Sequence, residues 1–432
     1  MDALNILVLH SLGDKKEAPF FLKNQVFMLQ KYQPDNNYLY HDVALPLPSY
    51  VKDFDFDLIL LDVTLLCARW SPNRKFEKLK EEYAFVRDSC AIKIAFPQDE
   101  YDCNQILDDW MVEWNMDIVY SVISDNWNVL YPRYHKTGCI KLAYTGYIDE
   151  SLIDWPIKPF DARTLDIGYR AKNLLPYFGR IGEIKSSIAY ELLKKTDAIK
   201  NLSLDIAVGD KSTLYGKDWL DFINNSKFTL GTNSGSSLLD PTGVIQKKVR
   251  TFLLKNPKAS FEEVEAQCFP AEDGIYEFTA ISPRVMEAAL LNSCQILVEG
   301  RYSDFMIPWE NYIPIKPDAS NWDEVYLAMS DYSYVQKMIN DTRLKILDTK
   351  ELRAREKSRK ILHDVSEFLV CRKRQASTDM VQKVLNKYQV EMNEKVYNKI
   401  WFKRRLRKWF VSSLTNYPRL QVIARQIYNK IN

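Results

Sequence analysis

Short apolar runs that alternate with longer amphipathic stretches constrain the fold of this chain more than any other feature of its sequence. The runs NILVLH, DLILLDVTLL and AIKIAF are separated by stretches with a helical period, such as FFLKNQVFMLQKY and FEKLKEEYAFVRD. Buried strands separated by helices of about 10 to 15 residues are typical of a parallel sheet covered by helices. The first part of the chain is therefore predicted to be an α/β domain.

The same alternation restarts after a polar, proline-containing break around residues 150–163, with runs such as TLDIGYR, LSLDIAV and KFTLGT. Two consecutive α/β units of similar size predict a cleft between them, with ligands at the carboxyl ends of the strands. From about residue 331 the chain becomes charged and helical in pattern. We predict two Rossmann-like domains, over residues 1–155 and 156–345, and a helical extension over residues 346–432.

Composition excludes several classes of protein. With 46% hydrophobic and 27% charged residues, the 432-residue chain resembles soluble globular proteins. The sequence has no apolar run of 18 residues and no signal sequence at its start, so we expect a cytoplasmic protein. Seven cysteines form no CxxC pair, so neither a disulfide framework nor a zinc site is expected, and four histidines argue against a metal centre built from histidine. No bound cofactor is expected.

The positive charge of the chain is concentrated at its end. Residues 395–432 contain ten Lys and Arg and no Asp or Glu, so the rest carries −8 against a total of +2. Helical spacing aligns four apolar residues beside cations, a pattern typical of a helix that lies in an anionic membrane surface. No recognised nucleic-acid fold precedes the cations, which disfavours nucleic acid, and a helix that binds a partner protein is the other alternative. The predicted membrane residues are Phe402, Arg404, Arg405, Leu406, Trp409 and Phe410.

A helix start in the second domain is a candidate nucleotide site. Pro283 begins the predicted helix of ISPRVMEA, and Glu287 lies one turn further on. A helix N-terminus offers free N–H donors to phosphate, and a carboxylate nearby can accept hydrogen bonds from ribose hydroxyls. Glu287 is therefore a candidate ribose ligand, with Ser282 and Arg284 in the same turn. The alternative is an ordinary strand–helix–strand unit with an exposed glutamate.

The stretch SGSSLLDPTG follows a predicted strand and offers small hydroxyl residues and glycines. Backbone N–H groups of such a loop can hold phosphate or sugar oxygens. Ser236 and Asp240 are the candidate residues on this loop for binding a phosphate or a sugar. The alternative role of Asp240 is to cap the following helix.

In the first domain, QDEY places Asp99 and Glu100 directly after the strand AIKIAF. A carboxylate at the carboxyl end of a strand can act as the general base for an acceptor hydroxyl. The alternative is a loop acid that caps the helix beginning near Cys103. His10, after the first strand, is the other candidate base.

Two α/β domains together with ISPRVMEA, SGSSLLDPTG and QDEY resemble the GT-B class of glycosyltransferases, and most of all bacterial enzymes of surface polysaccharide (O-antigen or capsule) assembly. The resemblance covers about residues 1–345. It implies sugar transfer from a nucleotide-activated donor, bound by the second domain, to a lipid-linked or oligosaccharide acceptor, held mostly by the first. With the basic tail, it places the protein on the inner face of the plasma membrane.

Three cations near the start of the second domain resemble the family's donor site. Arg170 ends the first predicted strand, and the spacing of Arg180 and Lys185 resembles the Arg and Lys pair by which retaining members hold the donor diphosphate. Cations suit this role because the leaving group gains charge, so that no metal is required. The alternative is solvated charges around a helix start. Thr279 stands where that family places another glutamate, so retaining or inverting chemistry stays open.

Two other functions stay open at this stage. A GT-B-shaped nucleotide-sugar epimerase would use the same cleft without needing a membrane tail. A non-catalytic, membrane-associated scaffold for polysaccharide assembly would need the tail but no turnover.

Overall fold

The computed structural model describes residues 3–13, 20–71, 73–196, 202–369 and 378–392, and the positions 396, 398–400, 402 and 406. The strands are β1 Asn5–His10, β2 Asn37–Asp42, β3 Leu58–Leu61, β4 Ile92–Ala95, β5 Ile118–Ser121, β6 Cys139–Leu142, β7 Leu165–Ala171, β8 Leu204–Val208, β9 Ser226–Gly231, β10 Ser234–Ser236, β11 Phe278–Ala280, β12 Cys294–Val298 and β13 Ile313–Ile315. The helices are α1 Phe20–Tyr32, α2 Ser49–Lys52, α3 Val63–Leu66, α4 Asn73–Glu82, α5 Phe85–Asp88, α6 Asn104–Glu113, α7 Trp127–Leu130, α8 Glu150–Ile153, α9 Gly179–Thr196, α10 Gly216–Asn224, α11 Val244–Lys255, α12 Phe261–Cys268, α13 Pro283–Leu290, α14 Trp322–Ser330, α15 Tyr332–Asp348, α16 Ala354–Leu369 and α17 Thr378–Glu391.

The first sheet has six strands in the order β2-β1-β3-β4-β5-β6, and every pair is parallel. Strands β1, β3, β4 and β5 are buried along their whole length, because helices cover both faces of a parallel sheet. Continuous apolar runs such as NILVLH are the sequence pattern that this burial requires. The predicted α/β fold of the first part of the chain is therefore confirmed.

The second sheet has five parallel strands in the order β13-β12-β9-β7-β8. Its core includes Ile167 of β7, Phe228 of β9 and Ile296 of β12, which pack with α9 and α15. Both sheets are doubly wound, so the predicted pair of Rossmann-like domains in the GT-B arrangement is confirmed.

An excursion between β9 and β12 links the two domains. It contains α11 and α12 between the paired antiparallel strands β10 and β11, and it has a small core of its own around Val249 and Val264. The backbone of Asp240 pairs with the first domain, since its N–H donates to the Tyr101 carbonyl (2.9 Å) and its carbonyl accepts from Cys103 N–H (2.7 Å). Phe278 of β11 also belongs to the core of the first domain. The excursion therefore packs against both domains.

The chain returns to the first domain after α15. Ile148 and Arg353 form a parallel bridge where the chain crosses between the domains in each direction. Helix α16 then packs on the first core through Ile361 and Val365, and Tyr388 of α17 reaches the same core. The predicted helical C-terminal region is confirmed, and its described helices belong spatially to the first domain.

Candidate functional site

The carboxyl ends of the two sheets meet in an interdomain cleft. Asp125, after β5, forms an ion pair with Arg301, after β12, at 2.9 Å. Thr145, after β6, donates its hydroxyl to the carbonyl of Ile281 (2.5 Å), immediately before α13. These contacts bring the loops after the first sheet against the start of α13. The cleft is the position where α/β sheets bind ligands.

Helix α13 begins as the sequence predicts. Ser282 is its N-cap and accepts from Arg284 N–H at 3.4 Å, and Pro283 occupies the first helical position. One turn later, a Glu287 carboxylate oxygen accepts a hydrogen bond from the Trp219 indole N–H at 2.7 Å. Burial raises the pKa of Glu287, and the Trp219 hydrogen bond and the Arg284 charge oppose that shift.

Trp219 is a site residue that sequence reasoning missed. It lies on α10, and its ring faces the Arg284 guanidinium, whose carbon is 4.6 Å from the ring centroid. Arg284 also donates to the Arg170 carbonyl at the end of β7. Trp219 thus contacts both charged side chains of the first turns of α13. No local pattern predicts this contact, because Trp219 and Glu287 are 68 residues apart.

Lys185 of the second domain lies within electrostatic range of Asp99 of the first. Lys185 is half-buried on α9, and its ammonium has no hydrogen-bond or ion-pair partner within the described part of the chain. Burial lowers the pKa of Lys185 to about 8; the charge of Asp99 opposes this shift and the charge of Arg284 adds to it. The Asp99 carboxylate accepts from the Tyr101 hydroxyl at 2.7 Å. The structure therefore brings Asp99, Lys185, Arg284 and Glu287 to one region of the cleft.

Buried Arg69 holds the loop that carries Asp99, and it too was missed by sequence reasoning. Its guanidinium donates to the carbonyls of Gln98 (2.9 Å), Asp99 (2.7 Å) and Asp102 (3.0 Å). Asp99 adopts a left-handed backbone conformation with φ of 48°, which Asp tolerates better than most residues. Arg69 thus holds the backbone on both sides of the Asp99 side chain, and a buried arginine carries no distinguishing local sequence signal.

Arg170 and Arg180 are engaged away from Lys185. Arg170 forms an ion pair with Asp205 at 2.6 Å and stacks on a phenylalanine ring. Arg180 forms an ion pair with Glu262 at 3.0 Å, and its guanidinium lies 4.0 Å from the ring centroid of Phe261. The predicted trio of cations is therefore not gathered in one place.

The stretch SGSSLLDPTG forms β10, which pairs with β11, and the loop that leads into α11. Ser236 is fully buried, and its hydroxyl bonds to the Phe178 and Leu238 carbonyls (both 3.0 Å). One oxygen of the Asp240 carboxylate accepts from Gln246 N–H at 2.8 Å, in the first turn of α11. Both side chains therefore have structural partners, and Asp240 does cap the following helix.

The two other candidate bases are enclosed. Glu100 accepts from the Tyr131 hydroxyl (2.6 Å) and from Val122 N–H (2.9 Å), and burial raises its pKa to about 7. His10 is buried, and its Nδ1 accepts from Leu12 N–H at 3.3 Å. The suggestion that Asp99 or Glu100 caps the helix near Cys103 is wrong, because Asp99 bonds to Tyr101 and Glu100 bonds to Val122 and Tyr131, none of which lies in α6.

The predicted membrane residues are described only in part. Phe402 and Leu406 are helical and expose 63% and 50% of their surfaces, whereas Arg404, Arg405, Trp409 and Phe410 lie outside the described residues. Across the described positions, no helix is long and apolar enough to cross a membrane. The same part of the chain has no group of three or more His, Cys, Asp or Glu side chains that could hold a metal ion.

Comparison with known proteins yields similarity in fold. No protein-family model matches the chain, and no curated protein matches it. Among solved structures, HepE of Anabaena with UDP and glucose has 10% identity and a TM-score of 0.48 over 84% of this chain and 100% of that one. A glycosyltransferase from Rickettsia africae has 10% identity and a TM-score of 0.49 over 86% and 100%. An α-glucosyltransferase with UDP and a 13-mer DNA has 8% identity and a TM-score of 0.46 over 84% and 99%. At these values the similarity carries no inference about substrate or reaction.

Proposed function

We propose that the protein is a glycosyltransferase that moves a sugar from a nucleotide-activated donor to a hydroxyl acceptor in the interdomain cleft. One observation carries the proposal. The α13 start with Glu287 lies against the loop after β6, where the carboxyl ends of two parallel sheets meet, and the charges of Lys185, Arg284 and Asp99 interact in the same region. Such a place suits a ligand that has ribose hydroxyls, a diphosphate and a reacting sugar.

The donor side of the cleft is assigned from the contacts of its charged residues. Glu287 is an acceptor for ribose hydroxyls, because an ionised carboxylate only accepts hydrogen bonds. Lys185 stabilises the diphosphate leaving group, since no protein group in the described chain neutralises its ammonium. Arg284 is the second cation of this region. Arg170 and Arg180 are already bound to Asp205 and Glu262, so they are weaker candidates for direct contact.

On the acceptor side, we assign the general base of an inverting reaction to Asp99. Its carboxylate bonds to the Tyr101 hydroxyl and lies near Lys185. Both Glu100 oxygens have protein partners in an enclosed position, and His10 is buried against Phe27 and Tyr40. Stabilisation of the leaving group by Lys185 and Arg284 would require no bound metal or other cofactor.

We further propose that the acceptor is a lipid-linked or oligosaccharide glycan of bacterial surface polysaccharide assembly, and that the enzyme works at the cytoplasmic face of the plasma membrane. The ten cations of residues 395–432 support membrane docking, because the rest of the chain is negative and would be repelled by anionic lipid. The exposed Phe402 and Leu406, four residues apart, add apolar contact.

Nucleotide binding tests the proposal. Replacing Glu287 by alanine is expected to weaken the binding of the best ligand among uridine, guanosine, adenosine, cytidine and thymidine diphosphates by about 10- to 100-fold, since a hydrogen bond to a charged group is lost. Isothermal titration calorimetry measures the change. Glu324→Ala, an exposed acid on α14 of the same domain, is the matched control.

The outcomes of this experiment separate the three functions. Transfer or donor hydrolysis with a nucleotide sugar supports the transferase. Interconversion of the donor sugar without an acceptor would identify the epimerase. A wild-type protein that neither binds nor turns over any nucleotide sugar would identify the scaffold, and unchanged affinity in Glu287→Ala would refute the ribose assignment.

Removal of residues 395–432 is expected to release the protein from vesicles that contain anionic phosphatidylserine. Each cation near such a surface contributes about 1 kcal/mol, so the loss of ten should reduce binding by far more than tenfold. The cut preserves α17, which is anchored by the Tyr388 hydroxyl at 2.7 Å from His41 Nδ1. Vesicle co-sedimentation measures binding.

Two controls identify what the tail contacts. Neutral phosphatidylcholine vesicles should bind neither form, and the double variant Phe402→Ala, Leu406→Ala should weaken binding while keeping every cation. Equal vesicle binding with and without residues 395–432 would contradict the membrane role. If residues 395–432 were needed for binding to duplex DNA and not for binding to vesicles, nucleic acid would be the favoured partner of the tail.

A further inference from the structure

Trp219 makes two different contacts with α13. Its indole N–H donates to one oxygen of Glu287 at 2.7 Å, and the Arg284 guanidinium lies 4.6 Å from its ring centroid. The Trp219 ring also stacks on the Phe222 ring, with 5.9 Å between the ring centroids. The guanidinium carbon of Arg170 lies 4.3 Å from the centroid of the same Phe222 ring. The indole is therefore held by three neighbours and has little freedom to turn.

We propose that Trp219 is a positioning residue that aims the Glu287 carboxylate at the ribose hydroxyls of the nucleotide. The inference rests on the proposed function, because it needs a nucleotide in the cleft, and it deepens that function by naming the group that makes Glu287 selective for a ribose.

The donor-only chemistry of the indole N–H supports this role. An indole N–H cannot accept a hydrogen bond, so it occupies one Glu287 oxygen and leaves acceptor capacity at the other. No other hydrogen bond to this carboxylate is formed within the described residues. The remaining oxygen can accept from a ligand that donates, and a ribose hydroxyl donates whereas an ionised phosphate oxygen does not.

The electrostatics of the carboxyl group lead to the same role. Burial raises the pKa of Glu287, while the Trp219 hydrogen bond and the Arg284 charge favour its ionised form. Without the indole N–H, the carboxyl group should protonate at a higher pH and lose acceptor capacity there. Nucleotide affinity should then begin to fall at a higher pH when the solution is acidified.

The test compares a ribonucleoside diphosphate with its 2′,3′-dideoxy counterpart, using whichever of the five bases binds best. In the full-length protein, Trp219→Phe keeps the aromatic ring and removes the N–H. We expect the ribonucleotide to bind about tenfold more weakly and the dideoxynucleotide to bind within about twofold of wild type. A general structural role of Trp219 would weaken both ligands equally.

A double-mutant cycle shows whether the effect passes through Glu287. In a Glu287→Ala background, Trp219→Phe should have no further effect on affinity, because the group it positions is absent. Trp219→His retains a ring N–H and serves as a second variant if Trp219→Phe folds poorly. It should keep part of the preference for the ribonucleotide over the dideoxynucleotide. Trp127→Phe is the matched control, since the Trp127 indole donates at the same 2.7 Å to a backbone carbonyl in the first domain.

Each result either supports or overturns the inference. Equal loss for both nucleotides, no loss in Trp219→Phe, or an additive loss in the Glu287→Ala background would each overturn it while leaving the transferase intact. A wild-type protein that binds none of the five diphosphates would overturn both the inference and the proposed function.

Discussion

Replacement of Lys185 by alanine is expected to lower kcat/KM for sugar transfer by about 10²- to 10³-fold, the usual cost of removing one group that stabilises developing negative charge. Lys185 is half-buried at the cleft, with the Asp99 charge opposite and no hydrogen-bond or ion-pair partner for its ammonium among the described residues. A cation held in this way is suited to the diphosphate that leaves when the glycosidic bond breaks.

The same cation should produce an alkaline limb in the pH profile. Burial lowers the pKa of Lys185 to about 8, so its charged fraction falls from about nine-tenths at pH 7 to about one-tenth at pH 9. Because kcat/KM reports the ionisation of the free enzyme, it should decline as the pH rises through 8. Lys185→Arg keeps its charge over this range, so its profile should stay level there whatever its absolute rate.

Initial rates of transfer or donor hydrolysis between pH 6.5 and 9.5, measured on the nucleotide sugar that the wild type uses, test both expectations. Lys194→Ala is the matched control, because Lys194 lies on the same helix, is exposed and is bound to Glu191 at 2.7 Å. A wild-type profile that is level through pH 8, or a Lys185→Ala rate within twofold of wild type, would remove Lys185 from the leaving-group site.

Replacement of Lys357 by methionine is expected to stabilise the protein by about 1–4 kcal/mol at pH 6 to 7, the range found when buried ion pairs are replaced by apolar residues. Lys357 is buried on α16, and its ammonium lies 3.9 Å from the ring centroid of Tyr120 and 5.7 Å from that of Tyr147. These ring faces offset part of the cost of burying a charge, and no oxygen acceptor binds the ammonium in the described chain.

The gain should depend on pH with a defined sign. Burial lowers the pKa of Lys357 from an ordinary 10.5 to about 7. Between these values the unfolded chain binds a proton that the folded chain does not, so wild-type stability rises with pH by up to about 1.4 kcal/mol per unit. The free energy of unfolding reaches its full value, as far as Lys357 is concerned, above pH 10.5, and it decreases as the pH falls to about 7. The advantage of Lys357→Met should therefore shrink as the pH rises.

Urea unfolding at pH 7, 8 and 9 gives the free energies needed for this comparison. Arg359→Met is the matched control, because Arg359 is an exposed cation on the same helix and its replacement should leave the pH dependence unchanged. A Lys357→Met protein that is less stable than wild type at every pH would show that the aromatic contacts outweigh the burial of the ammonium.

The two sheets follow from the alternation of apolar runs and amphipathic stretches, because strand and helix periods are local properties of the chain. Helix α13 is a similar case. Ser282 is its N-cap and Pro283 is its first residue, and both residue types are local signals of a helix start. The membrane tail is also a local pattern of charge, and its role stays a prediction.

Local sequence patterns did not predict contacts between residues that are far apart in the chain. Arg180 looks like a diphosphate ligand by its spacing from Lys185, yet its guanidinium reaches Glu262 on α12, 82 residues away. The sequence around Glu287 does not predict its contact with Trp219, and the sequence around Asp99 does not predict the contact with Arg69. A side chain's partner depends on which elements pack together, and the local sequence around one residue does not encode that.

Taken by itself, the sequence determined the element types, the two doubly wound units and the helix start that carries Glu287, because these depend on periodicity and on capping within a few residues. Only the tertiary structure decided that α16 returns to the first domain, that Arg170 and Arg180 bind other carboxylates, and that Lys185 comes within electrostatic range of Asp99. The physical reason is that side-chain partners are chosen by the burial and charge of surfaces that meet only after the chain has folded.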